Sequence, residues 1–334
     1  MFKSNLPILS TTDLSVRFAL RKPWLGDNQY VHAVQKVSLQ LFEGETLAIV
    51  GESGSGKTSL ARALIGLNSI WQGELKYSGQ EIKFHQPQAF SHLRRNVQMV
   101  FQDPFGSLDP RLSVQEIIAE PLQIHGTHSK AMQASRVADL LLQVGLPKEA
   151  ANRYPHQFSG GQRQRIAIAR ALAPQPKVII ADEPLSALDV SIQSQVMNLM
   201  KSLQKTHGLS YLLVSHDMAA VHHLADRVAV MYLGRVIETA PVDQLFEAPK
   251  HPYTLALLQS VPKIGQGKRK LGNSLKGDQP SPINPPSGCT FHPRCSLAQD
   301  KCKSEVPANR SLSTVHQIAC HFPIQIASST KSTS

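Results

Sequence analysis

The chain has 334 residues, 41% hydrophobic and 18% charged, which suits one domain of about 250 residues plus an appendage and excludes a wholly disordered chain. No apolar run approaches the roughly 20 residues of a membrane-spanning helix, so any membrane path must come from other chains. The net charge is +11, and residues 261–334 carry +7 of it through ten Lys/Arg against three Asp/Glu. Such a tail suits nucleic acid, an anionic membrane face or plain solvation.

The start, Met1-Phe2-Lys3-Ser4-Asn5, meets Asp13 before a signal-like apolar stretch can form, so a protein kept in the cytosol is expected. Short β segments are predicted at 14–18, 37–42 and 46–50, with a Pro/Gly/Asn-containing insert at 21–29. A glycine-rich turn follows, then a helix over 58–67, a strand over 97–101 and helical spacing through 113–150, marked by Val137, Leu140, Leu141 and Val144. From residue 160 the order is helix 161–173, strand 178–181, helix 189–206, strand 211–215, helix 218–224 and strand 227–232. This alternation predicts an α/β domain with a mostly parallel sheet, and the helix-rich stretch at about 103–170 a subdomain on one side. Residues 263–286 read as a linker, and the last dozen residues, rich in Ser, Thr and Lys, as a frayed end.

The segment Gly51-Glu52-Ser53-Gly54-Ser55-Gly56-Lys57-Thr58-Ser59 is a P-loop pattern placed after an apolar strand and at the opening of a helix. Glycines let successive backbone N–H groups face an anion, Lys57 is expected to reach the β- and γ-phosphates of ATP, and Thr58 to hold Mg²⁺. A glycine-rich turn outside that context would mean little. The apolar run 178–181 delivers Asp182 and Glu183 at a strand's C-terminal end, where ligands bind in such sheets. Asp182 is assigned to the Mg²⁺ shell and Glu183 to general-base activation of water.

Between these lies Phe158-Ser159-Gly160-Gly161-Gln162-Arg163-Gln164-Arg165, which resembles the signature motif of the ABC ATPases. With it, about residues 8–260 are identified as a member of that family. The resemblance implies an ABC-type P-loop fold with a RecA-like core, an antiparallel β subdomain and a helical subdomain. Gln102 matches the Q-loop, which reaches the Mg²⁺ shell; Ser186-Ala187-Leu188-Asp189 matches the D-loop; and His216, in Ser215-His216-Asp217, matches the switch histidine. Ser215-His216-Asp217 is not a nucleophilic triad, because adjacent residues cannot form the relay. Phe18 sits where the family stacks an aromatic on adenine, with Tyr30 as a rival. One departure is Phe158, where the family most often has Leu. Ser159 and the Gly160-Gly161 backbone, also an N–H-rich helix start, would cap the γ-phosphate held by a second subunit's P-loop. The segment 103–121 would meet a coupling helix of a membrane subunit.

His251-Pro252-Tyr253-Thr254, the stretch from Arg153 to Gly161, and Gly288-Cys289-Thr290-Phe291-His292-Pro293-Arg294-Cys295 resemble the dipeptide and oligopeptide importer ATPases, a group that includes nickel relatives. The likeness is nearest to the second ATPase subunit of dipeptide importers. It implies a heterodimer with a paralogous ATPase, two membrane-spanning permease subunits, an external substrate-binding protein, a place at the cytoplasmic face of the inner membrane, and no nucleic-acid partner. Peptide, antimicrobial-peptide and nickel cargoes all suit such a motor. A soluble ABC ATPase acting on nucleic acid or ribosomes, and a metal-sensing regulator, are the competing classes.

All four cysteines, Cys289, Cys295, Cys302 and Cys320, fall in the last 46 residues, spaced C-x5-C-x6-C-x17-C. In a cytosolic chain this favours metal chemistry over disulfides. A zinc knuckle usually has C-x2–4-C, which is absent, whereas iron–sulfur spacings vary more. A 4Fe–4S cluster, which the resemblance supports, is the first expectation, zinc the second and no metal the third. His292, His316 and His321 lie nearby as possible substitutes. The layout expected is an ATPase domain at 1–260, a linker at 261–288, a Cys-rich extension at 289–322 and a disordered tail at 323–334.

Overall fold

Three short apolar runs form the centre of the molecule. In the computed structural model, which describes residues 6–20, 29–86, 88–126, 129–260 and 277–325, these runs are β3 (Thr46–Val50), β7 (Val178–Asp182) and β8 (Ser210–Val214), and every residue in them is buried. Strands covered by helices on both faces need no polar side, so they read as continuous apolar sequence. They join β6 (Val97–Val100) and β9 (Arg227–Tyr232) in the parallel part of an eight-stranded sheet. Ile49 lies level with Val214 and Ala229, and Asp182 with Val214. The C-terminal ends of β3, β7 and β8 therefore open on one edge.

The second sheet is antiparallel, in the order β2-β1-β4-β5, from β1 (Leu9–Leu20), β2 (Gln29–Leu41), β4 (Gln72–Tyr77) and β5 (Gln80–Glu81). Both long strands exceed the segments predicted at 14–18 and 37–42. Residues 17–20 of β1 and 29–33 of β2 include no buried side chain, so apolar content marked only a more buried part of each. Most of the insert at 21–29 lies outside the described residues.

Helices α1 (Lys57–Leu64) and α2 (Ala89–Asn96) precede the helical subdomain, which is α3 (Val114–Ile124), α4 (Lys130–Gln143) and α5 (Gly160–Leu172). The single helical stretch expected over 113–150 is broken. Gly126, at φ 62°, ends the first helix, and the Ser129 hydroxyl caps the next by accepting the Met132 N–H. Ser113 and Glu116 form a reciprocal cap on α3. Then follow α6 (Val190–His207), α7 (Met218–Leu224), β10 (Arg235–Pro241), α8 (Val242–Glu247) and α9 (Pro252–Gln259). Among the described residues no helix is long and apolar enough to cross a membrane.

The Cys-rich segment does not stand apart from the core. After α10 (Asp300–Ser304), β11 (Arg310–Ser311) pairs with β12 (Gln317–Ile318), and β12 pairs with β10, extending the main sheet at its edge. Phe291 is 2% exposed and meets Tyr232 and Tyr253 edge-on, at ring-centre distances of 5.2 and 5.4 Å. The linker expected at 261–288 falls largely on 261–276, outside the described residues, as does most of the tail expected at 323–334.

Glu238 of β10 fastens this join. It is 1% exposed and accepts from the N–H groups of Lys250 (2.8 Å) and His251 (2.9 Å) and from His316 Nε2 (2.8 Å). Burial alone would raise its carboxyl, but the bonds from His316 and the two backbone N–H groups outweigh it and hold the group below its usual value. A depressed carboxylate stabilises the fold above its unfolded value, near 4.5, and that contribution fades as pH falls through the lower folded value. Glu238→Gln should therefore cost about 1–3 kcal/mol at neutral pH. The gap to wild type in thermal melts should narrow as the pH drops below the ordinary carboxylate range; a constant gap would contradict this account.

Candidate nucleotide site

At the end of β3 the chain turns through the P-loop before α1 begins. A side chain at Gly51 would run into the Met231 carbonyl oxygen, and one at Gly56 (φ 102°) into that of Ala33. The loop is thus pressed onto the end of β9 and the backbone of β2, and only glycine allows the approach. Lys57 is 5% exposed, and its Nζ donates back to the carbonyls of Gly51 (2.9 Å) and Glu52 (2.8 Å) and lies 3.4 Å from the Ser55 hydroxyl. Burial lowers its pKa, while the charges of Glu183, Asp182 and Glu52 pull it back up.

Thr58 donates its hydroxyl to Asp182 Oδ1 at 3.0 Å. Asp182 is fully buried, and its other oxygen, Oδ2, has no partner. Burial pushes this carboxyl above the usual range, against the bond from Thr58 and the charge of Arg62. A buried oxygen without a partner beside a threonine hydroxyl is a hard-cation donor set, so the residues fit Mg²⁺.

Glu183 has φ 44°, a conformation that costs a non-glycine residue energy and is found preferentially at functional sites. Its N–H is tied to the Val214 carbonyl at 2.9 Å. One carboxylate oxygen takes a bond from Gln102 Nε2 at 2.8 Å, and the other faces His216 Nδ1 at 3.2 Å. Gln102 thus holds Glu183 and makes no bond to Thr58 or Asp182.

A cleft of about 700 Å³ lies between the two sheets, lined by Phe18, the P-loop from Gly51 to Ser59 except Ser55, Gln102, Glu183 and His216. Ser55 is buried beneath it. Of the two aromatic candidates, Phe18 faces the cleft, while Tyr30 stacks on the Arg17 guanidinium, 4.1 Å away, which Trp71 covers from 4.0 Å.

The signature residues are not in this cleft. Ser159 and Gln162 are exposed and cap α5 reciprocally, Ser159 Oγ accepting the Gln162 N–H and Gln162 Oε1 accepting the Ser159 N–H. Gly160 and Gly161 pack against Leu188 and Ile192, and Asp189 is exposed at the start of α6. The phosphate loop and the Ser159-capped start of α5 thus lie apart within the chain.

The cysteines are all unbridged; Cys302 is buried and the other three half-buried. The Cys289 N–H donates to the Cys302 carbonyl at 2.8 Å. Burial raises the Cys289 and Cys295 thiols and pushes that of Cys320 up to about 11, with the charges of Cys289, Cys295 and Cys302 adding to it. Among the described residues, no group of three or more His, Cys, Asp or Glu side chains forms a metal site. His292 Nδ1 lies 2.9 Å from the Cys289 carbonyl, His316 is bound to Glu238, and His321 Nε2 lies 3.0 Å from the Glu305 carbonyl.

Sequence reading missed contributors from the C-terminal part. Leu257 and Pro282 line the cleft, the Glu52 N–H donates to Tyr253 Oη at 2.9 Å, and Arg294 binds the Glu52 carboxylate. An acid inside a phosphate loop was the only available hint.

A glycine-cradled anion loop, a buried carboxylate with an open oxygen and a water-facing acid at one sheet edge define a P-loop ATPase. The profile "ABC transporter" matches residues 34–186, and "Oligopeptide/dipeptide transporter, C-terminal region" matches residues 237–302. The chain is 48% identical over 318 residues to a di/tripeptide transport ATP-binding protein of Pseudomonas aeruginosa, covering 95% of this chain and 98% of that one. It is 49% identical to an oligopeptide transport ATP-binding protein of Bacillus subtilis, covering 92% and 93%. The fold matches the ATP-binding cassette MJ0796, solved as a post-hydrolysis dimer bound to ADP and Pi, with TM-score 0.62 and 29% identity over 70% of this chain and 98% of that one. This chain belongs to the ATP-binding proteins of ABC transporters, in the group bearing the oligopeptide/dipeptide C-terminal region. It is an ATP hydrolase coupled to transport, and ATP with Mg²⁺ is what such a site takes.

Glu183→Gln should keep ATP binding and lower ATP turnover by about a hundredfold or more. Wild-type turnover in that variant would remove Glu183 from the role of base.

Proposed function

We propose that this chain powers the import of di- and oligopeptides across the cytoplasmic membrane, as one half of an ATPase heterodimer with a paralogue. The observation that carries the dimer is the separation of the chain's exposed signature motif from its own cleft. Two cassettes facing head to tail would bring Ser159, Gly160, Gly161 and Gln162 of each to the γ-phosphate in the other's P-loop, with Asp189 at the seam. ATP then joins the two cassettes, and its hydrolysis lets them part.

Within the cleft, Lys57 would leave its own carbonyls for the β- and γ-phosphates, and Phe18 would stack on adenine. Thr58 and Asp182 would hold Mg²⁺, which when bound neutralises charge on the phosphate oxygens. Glu183 takes the proton of the attacking water, while Gln102 and His216, one on each carboxylate oxygen, hold the acid in place. Gln102 leads directly into a groove of about 570 Å³ lined by Phe105, Asp109, Arg111, Glu120 and Arg170. We assign that groove to a coupling helix of one of two membrane-spanning permease subunits, which places the chain peripherally at the cytoplasmic face. A substrate-binding protein outside would supply cargo. The peptide assignment rests on the relatives named for peptide transport, whose likeness runs through the C-terminal region.

We assign Cys289, Cys295, Cys302 and Cys320 to a 4Fe–4S cluster, with zinc as the alternative. The support is chemical. All four thiols are unbridged, the Cys289 N–H is bonded to the Cys302 carbonyl, and the neighbouring histidines are bonded elsewhere. The assignment requires the thiols to draw together, since among the described residues they form no metal-holding group. Chain purified without oxygen should carry about four irons and four acid-labile sulfides, reduced by Cys302→Ser. Zinc without sulfide would substitute the alternative, and neither metal would end the assignment.

In a strain lacking the gene, wild type should restore uptake of a labelled dipeptide or longer peptide, and Lys57→Ala should not, while keeping a cooperative melt. Rescue of nickel uptake alone would replace the cargo, and rescue by Lys57→Ala would sink the mechanism.

A further inference from the structure

Glu52 is an odd residue to find in a loop that must receive a triphosphate, since its carboxylate repels the ligand. The structure shows what offsets it. Arg294 grips both carboxylate oxygens, Nη1 at 2.7 Å and Nη2 at 3.0 Å. The Arg294 side chain is 6% exposed and that of Glu52 27%, so this is a forked ion pair largely shielded from water. The pairing spans 242 residues of sequence and joins the Cys-rich extension to the second residue of the P-loop.

The same residue is held at its backbone. Its N–H donates to Tyr253 Oη at 2.9 Å, and its carbonyl accepts from Lys57 Nζ at 2.8 Å. Tyr253 packs on Tyr232 at 4.7 Å and on Phe291, which lies three residues before Arg294 in the chain. Arg294 Nη1 also reaches Tyr232 Oη at 3.5 Å. Ahead of the extension, in the linker, the His32 N–H donates to the Pro282 carbonyl at 3.2 Å, and Pro282 lines the cleft beside Phe18 and Val31. The extension thus grips the P-loop through Arg294, while the linker that leads to it lines the cleft at Pro282.

We propose that the Cys-rich extension is a working part of the nucleotide site, in which Arg294 is a positioning residue that neutralises Glu52 and fixes the P-loop for phosphate. Cys295 follows Arg294 directly in the chain, and Cys289 and Cys302 are bonded backbone to backbone beside it. Whatever orders the four cysteines therefore orders Arg294, and a change there reaches the ATP site through one ion pair. The inference rests on the cleft being the ATP site.

The test is calorimetric titration of the full chain with Mg–ATP, beside thermal melts. Arg294→Met leaves a bare carboxylate facing the phosphates and should weaken binding about tenfold. Arg294→Lys keeps the charge but loses the fork and should fall between. Adding Glu52→Gln to Arg294→Met removes the stranded charge and should recover most of the lost affinity, which a merely structural role for Arg294 would not produce. Wild-type affinity in Arg294→Met, or a double variant no better than the single one, would overturn the proposal. Should Arg294→Met fail to melt cooperatively, wild-type affinity in Arg294→Lys together with no gain on adding Glu52→Gln to it would overturn it equally. Failure of the wild-type chain itself to bind ATP, with Lys57→Ala indistinguishable from it, would instead remove the ATP site.

Discussion

The register of three parallel strands is the constraint on which everything else depends. Ile49, Val214 and Asp182 end level with one another at the same sheet edge. That places the P-loop after β3, Asp182 and Glu183 at the end of β7 and His216 just beyond β8 around one cleft. Each of these strands is buried on both faces, so a slip would move polar end residues into the apolar core. The chemistry is positioned by packing that has no chemistry of its own.

Strain and burial at that edge are concentrated on a few residues. Glu183 keeps a left-handed backbone with its N–H on Val214 and its carboxylate held from two sides. Asp182 is sealed in with one oxygen unsatisfied. Neither arrangement favours the fold by itself. Both make sense as preparation for a cation and a polarised water, which complete what the fold leaves open.

The cysteine segment is physically continuous with this site. It adds strands to the main sheet, shares the aromatic cluster of Tyr232, Tyr253 and Phe291, and sends Arg294 into the P-loop. A region that looked like an appendage by composition is bonded to a residue in the wall of the cleft, Glu52.

The sequence alone determined the parts whose chemistry is local. The phosphate loop, the Asp182-Glu183 pair and the Ser159 helix start depend on residues adjacent in the chain, and short-range spacing exposes them. The three buried strands were equally legible, because burial on both faces leaves an unbroken apolar run. Long half-exposed strands such as β2, and β10 with its buried Glu238, were shortened or missed, since their polar residues are explained only by partners far away in sequence. Only the tertiary structure decided that Phe18 rather than Tyr30 faces the cleft, that Gln102 holds Glu183, and that Arg294 meets Glu52. Each of those choices is a contact between distant segments, and no local pattern encodes which of several suitable residues the fold will bring together.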